Sequence, residues 1–186
     1  ERTVEELYEE EKGHLLALPQ IAFSNVQPLG GRVDKYATVI VDKNRYSVPS
    51  RYAGFAVKVL LFVDRVEIFL GTKKLAVHER VFGNNKWCLN PDHYLDLLQE
   101  RPLAFNSARA IRQWRKSWPP ALEALRERFC CAQGTTKGIK DFITVLMFYR
   151  DYEAAEIEDA VKRAVEHHIS TSEGVRHLLG SAHSSD

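Results

Sequence analysis

The sequence predicts an α+β chain in which a small five- to six-stranded β-barrel is followed by a helical bundle. Three observations lead there. Residues 35–80 form a run of short β-rich segments separated by turn residues. After Gly83 the apolar residues take up helical spacing. Charge is also sorted along the chain, whose net value over 186 residues is only +1. Residues 35–80 hold nine cations (Lys35, Lys43, Arg45, Arg51, Lys58, Arg65, Lys73, Lys74, Arg80) against Asp42, Asp64, Glu67 and Glu79, about +5. By the same count residues 1–20 stand at about −4, 101–128 at about +5 and 141–186 at about −5.

Residues 3–12 read as an acidic helix, capped near Thr3 and stopped at Gly13. Residues 14–30 read as an extended tether, because Pro19, Pro28 and Gly30–Gly31 discourage regular structure. The first strand is expected over 35–41, where Tyr36, Thr38 and Ile40 alternate with Ala37, Val39 and Val41. Asp42-Lys43-Asn44 is a turn, and Arg45–Val48 is a second strand ended by Pro49. Val57–Phe62 and Arg65–Leu70 are strands joined through Val63-Asp64 as a tight hairpin. Gly71-Thr72 turns the chain into a fifth strand over 73–78. Five short strands in so few residues suit a closed or nearly closed barrel, which removes exposed strand edges.

In the second half, Asn90-Pro91-Asp92 caps a helix over 93–100 with Tyr94, Leu97 and Leu98 on its apolar face. Ser107–Ser117 is a basic helix stopped by Pro119-Pro120, which open the next helix over 121–129. Gly134–Gly138 reads as a loop, 137–149 as a buried helix and 153–167 as an amphipathic one. Ser170-x-x-Glu173 reads as a capping box for a last helix ending at Gly180. The expected division is an acidic helix and linker at 1–31, the barrel at 32–84, the helical region at 85–181 and a frayed tail at 182–186.

Composition narrows the function classes. Hydrophobic content of 45% is enough for a sizeable core. Cys88, Cys130 and Cys131 are odd in number and two are adjacent, unlike a secreted disulfide scaffold. No apolar run reaches the ~18 residues of a membrane span, and no signal peptide is recognisable. The chain begins at Glu1 and its single Met is Met147, so the expectation is a piece of a longer protein.

No catalytic or metal-binding pattern emerges. The seven His (14, 78, 93, 167, 168, 177, 183) and three Cys lack the paired spacing of a zinc site. Gly134-Thr-Thr-Lys-Gly138 lacks phosphate-loop spacing, and Glu156, Glu158 and Asp159 sit on a solvent-facing helical pattern. Nucleic-acid contact has better support. Arg45, Arg51, Lys58, Lys73, Lys74 and Arg80 punctuate the strands with Tyr46 and Tyr52 among them, a pattern able to neutralise phosphates. Arg109, Arg112, Arg115 and Lys116, with Trp114 and Trp118, form a second candidate surface. The candidate DNA-binding set is Arg45, Tyr46, Arg51, Lys58, Lys73, Lys74, Arg80, Arg112, Arg115 and Lys116, with no catalytic and no metal-binding residue. The competing reading is a module that contacts protein alone.

An ordered series of motifs carries a family resemblance. Tyr46-Ser47-Val48-Pro49, Arg51-Tyr52-x-Gly54 and Val57-x-Val59 are followed by Val66-Glu67-Ile68 and His78-x-Arg80. Then come Asp92-His93-Tyr94-x-x-Leu97-Leu98 and Pro102, with Leu15-Leu16-x-Leu18-Pro19 upstream. Together they resemble the C-terminal region of IstA-like insertion-sequence transposases, across roughly residues 1–180. The resemblance implies a bacterial, cytoplasmic DDE recombinase with a helix-turn-helix region and an RNase H-like catalytic domain. It also implies a barrel similar to that of phage Mu transposase. The implied partners are DNA, other transposase protomers and an AAA+ ATPase helper, IstB. On this reading the catalytic carboxylates and their magnesium lie upstream, outside this chain, which needs no cofactor of its own. The acidic stretch 141–180 is then expected to dock the helper or another protomer.

Overall fold

The computed structural model describes residues 3–12 and 25–182. Among them are seven strands and seven α-helices. The acidic helix α1 spans Val4–Lys12, and the expected stop at Gly13 lies outside the described residues.

The β-region is two sheets with no closed barrel among the described residues. The first is a fully antiparallel sheet of β1 (Gln27–Arg32), β4 (Ala56–Leu61), β5 (Arg65–Leu70) and β6 (Lys73–Glu79), in that order. The second is a hairpin of β2 (Thr38–Val41) and β3 (Asn44–Ser47), with β7 (Trp87–Cys88) parallel to β3. The barrel stays open because no strand of one sheet forms a ladder with the other. Side chains bridge the gap instead. Asn44 Nδ2 donates to the carbonyls of Val81 and Gly83, each at 2.9 Å, and His78 Nε2 donates to the Ser47 carbonyl at 2.6 Å. Both sheets cover one apolar core, which includes Val39, Val41, Tyr46, Val48, Val57, Val59, Val66 and Ile68.

The turns follow local chemistry. Val41 pairs with Asn44, so Asp42 and Lys43 form a two-residue loop with φ of 46° and 63°. Both angles are left-handed, as the twist of a tight hairpin requires. Gly71, at φ 59°, turns Leu70 towards its partner Lys73. The Val63-Asp64 hairpin closes through Phe62 N–H to the Arg65 carbonyl at 2.9 Å. The tether expected over 14–30 becomes strand β1 from Gln27 onward, while residues 14–24 lie outside the described residues. Pro28 is tolerated because β1 is an edge strand. Gly31 is needed for close packing, since a Cβ there would stand 2.8 Å from Val39 Cγ1.

Helices α2 (Asp92–Glu100), α3 (Arg109–Trp114), α4 (Pro120–Gln133), α5 (Thr135–Met147), α6 (Ala154–Glu166) and α7 (Ser172–Ala182) build a second core. The basic helix expected over 107–117 is shorter, with 3-10 turns at Pro102–Ser107 and Arg115–Ser117 on either side of α3. In α2 the buried residues are His93, Leu95 and Leu98, whereas Leu97 is exposed. Only Gly134 of the expected loop lies outside a helix, and Gly138 packs where a Cβ would stand 2.5 Å from the Phe129 backbone. Helix α6 opens with a reciprocal capping box of Glu153 and Glu156. At α7 the Thr171 hydroxyl, not Ser170, accepts the Gly174 N–H at 3.2 Å. Ser170 instead offers its carbonyl to Gln133 Nε2 at 2.6 Å.

Ser47 and Tyr36 join the two cores. The Ser47 hydroxyl accepts the Asn90 N–H at 2.8 Å and lies 2.8 Å from His93 Nδ1. The Tyr94 hydroxyl donates to the Tyr36 carbonyl at 3.0 Å. These bonds hold α2 against the second sheet.

Candidate nucleic-acid interface

The junction of the second sheet with α2 and α3 encloses a groove of about 630 Å3. Its walls combine cations and flat rings: Lys35, Arg45 and Arg109 with Tyr36, Trp87 and Tyr94. Trp87 is at the centre. The Arg45 guanidinium lies 4.8 Å and that of Arg109 4.2 Å from its ring centroid, while Tyr36 meets it edge-on at 6.2 Å. Such cation–ring contacts stabilise by about 0.5–1 kcal/mol at exposed sites and more when desolvated. Backbone geometry fixes Trp87, because β7 pairs it directly with Arg45 of β3.

Arg45 is further held by an ion pair with Asp34. Burial works to raise the Asp34 pKa, but hydrogen bonds from Thr38 and Tyr36 and the charge of Arg45 outweigh it, leaving the carboxyl below its ordinary value. Arg109 is exposed and has no acidic partner among the described residues. Lys35 stands over the Tyr36 ring at 5.2 Å.

A second cluster neighbours the groove. The 3-10 turn Ser50–Tyr52 contributes Ser50 to the groove wall and also carries Arg51 and Tyr52. Arg51 and Lys73 converge on the Tyr52 ring, at 5.1 Å and 5.9 Å from its centroid. Hydrogen bonds from these two cations hold the Tyr52 hydroxyl pKa below its ordinary value. Arg51, Tyr52 and Lys73, all singled out from sequence, are thus brought together beside the groove that holds Arg45.

The others separate. Lys58 stands exposed on the outward face of β4, paired across strands with Phe69, which in turn pairs with Lys74. Lys74 bonds Glu67 at 3.0 Å but stays half-exposed. Arg80 is engaged internally, donating to the Phe62 carbonyl at 3.0 Å and to Asp42 at 3.1 Å. Arg115 is paired with Glu123, while Arg112 and Lys116 are exposed beside it. Tyr46 needs correcting as a contact residue. It is 1% exposed, and its hydroxyl accepts the Val81 N–H at 3.0 Å, so it holds the core together and presents nothing to a ligand. Trp114 and Trp118 likewise pack into the helical core, edge-on to each other at 5.5 Å.

Sequence reasoning missed Tyr36, Trp87 and Tyr94 as groove residues. The nearest signal was aromatic residues beside cations, at Lys35-Tyr36 and Lys86-Trp87. Among the described residues, no three His, Cys, Asp or Glu side chains gather as a metal-holding group. No helix among them is long and apolar enough to cross a membrane.

The second sheet with α2 and α3 thus forms a basic, aromatic groove, in a chain that is similar in sequence to transposases. Residues 18–90 match the family described as Mu transposase, C-terminal domain. A transposase for insertion sequences IS1326/IS1353 from Pseudomonas aeruginosa is 29% identical over 189 residues, covering 97% of this chain and 35% of the relative. A transposase of the same name from Shigella flexneri matches to the same extent. The chain thus spans about a third of the length of these curated relatives. No solved structure matches it.

Proposed function

We propose that this chain is the DNA-contacting and assembly region of a bacterial insertion-sequence transposase. It positions DNA, while a DDE-type catalytic domain elsewhere in the protein cuts and joins strands. One observation supports this most: Lys35, Arg51, Lys58, Lys73 and Arg109 have no acidic partner among the described residues, and all but Lys58 lie in the groove or the adjoining Tyr52 cluster. Unpaired cations are free to neutralise phosphates and release counterions. A mobility shift with terminal-repeat DNA across a salt series tests the reading. Affinity is expected to fall with a slope near −0.9 per phosphate contact on a log–log plot. Arg51→Ala with Lys73→Ala should reduce the steepness by about 2. Absence of binding at low salt refutes it.

A second reading is a module for protein contact alone. It is favoured by the carboxylates that already hold Arg65, Lys74, Arg80, Arg115 and Arg150. The exposed Val63, Phe82 and Leu103 favour it too. The partners would be other transposase protomers or an IstB-like AAA+ helper. Affinity indifferent to salt would favour this reading.

A further inference from the structure

Resting on the proposed DNA role, we infer that the Trp87 groove takes an unstacked nucleotide, from a single-stranded flank or a base displaced from the duplex. A duplex backbone needs only a cationic surface, which Arg51, Lys58 and Lys73 supply on open faces. The groove adds features that a backbone does not use. Its volume of about 630 Å3 falls within the ~300–1,000 Å3 of sites that enclose small ligands. Its centre is an indole flanked by two guanidiniums, with a phenol edge beside it. Flat rings and guanidinium planes are the surfaces on which unpaired bases stack, irrespective of sequence.

The two arginines differ in their freedom. Arg45 is tied to Asp34 and donates to the Thr38 hydroxyl at 3.2 Å, so it braces Trp87 from the sheet side. Arg109 approaches from α3, is exposed and has no carboxylate partner among the described residues. It can therefore offer its plane to a base or move aside to uncover the indole. Lys35 at the rim supplies a charge for the attached phosphate. The net positive charge of the walls, even after Asp34 offsets Arg45, favours an anionic occupant over a neutral apolar one.

The test uses the whole chain and three fluorescent probes of related sequence: a blunt duplex, the same duplex with an unpaired overhang, and an oligothymidine single strand. Anisotropy is expected to show tighter binding to the overhang and single strand than to the blunt duplex, with quenching of tryptophan emission on binding. Trp87→Ala and Arg109→Ala should each lose about tenfold on the two unpaired probes while changing blunt-duplex affinity less than about twofold. Lys58→Ala, on the outward face of β4, should weaken all three probes alike. If Trp87→Ala fails to fold, exposed Arg109 carries the test. Blunt-duplex binding with no preference for unpaired probes, or equal losses on all three, overturns the inference and leaves the DNA role standing. Failure to bind any probe overturns both.

Discussion

Ser47 makes three hydrogen bonds from two oxygens. Its carbonyl accepts the His78 Nε2–H and its hydroxyl accepts the Asn90 N–H; with His93 neutral and Nδ1 unprotonated, the hydroxyl also donates to His93 Nδ1. That arrangement needs a neutral His93. Burial, and then the charge of nearby His78, push its pKa down to about 4, and burial likewise lowers that of His78. The unfolded chain takes up these protons near pH 6.5 and the folded one does not. Stability is therefore expected to be full above pH 6.5 and to fall towards pH 4, with a loss of about 3 kcal/mol from His93 alone. Thermal unfolding across that window checks it, and His93→Gln should flatten the acid limb. Nothing in the pattern around Ser47 announces this role, since a serine in a strand followed by proline reads simply as a strand end. Tyr46 beside it misleads in the opposite direction: its neighbours Arg45 and Arg51 make it look like a contact residue, but alternation along β3 turns it inward.

At the level of elements, hairpins were the most legible features, because their turns demand particular backbone angles. Asp42-Lys43 and Gly71 mark left-handed positions in sequence as in space. Lys43 adopts its angle against the preference of a side chain bearing a Cβ, at a penalty of about 1–2 kcal/mol. Lys43→Gly should thus stabilise the fold by up to about 1 kcal/mol after the added freedom of the unfolded chain, read as a higher unfolding midpoint. Asp42 is better left in place, since it pairs with Arg80. Strands β1 and β7 were illegible for physical reasons. An edge strand can contain Pro28, Gly30 and Gly31, which elsewhere signal a loop, and β7 is only two residues long. Gly138 looked like part of a loop but marks the closest approach of α4 and α5. Gly138→Ala should destabilise by about 1–3 kcal/mol despite alanine's better helix propensity, because the opposing atoms are backbone and cannot rotate away. Denaturant unfolding measures this directly.

Across the whole molecule, the charge sorting visible in the sequence has a partial counterpart in space. Many basic residues of the β-region are neutralised locally, yet Arg51 and Lys73 meet around Tyr52, and Lys35 and Arg109 share the groove. Asp159 and Glu166 stand exposed along α6, on the acidic C-terminal part. If this face docks a helper ATPase or a second protomer, Asp159→Asn with Glu166→Gln should weaken co-purification while leaving DNA affinity within about twofold, since Asp159 gives up only an exposed ion pair with Arg163 that contributes under about 1 kcal/mol. Unchanged co-purification would remove α6 from consideration. The groove itself was beyond reach from sequence, as it is built from separate stretches that only tertiary contacts bring together. That discontinuity bears on when the protein becomes competent. During synthesis at about 5–20 residues per second, Lys35 leaves the ribosome on the order of 4–15 s before Arg109. Until α3 has emerged, Trp87 lacks its outer arginine, so a growing chain passes through a period in which its strands can fold but the groove is incomplete.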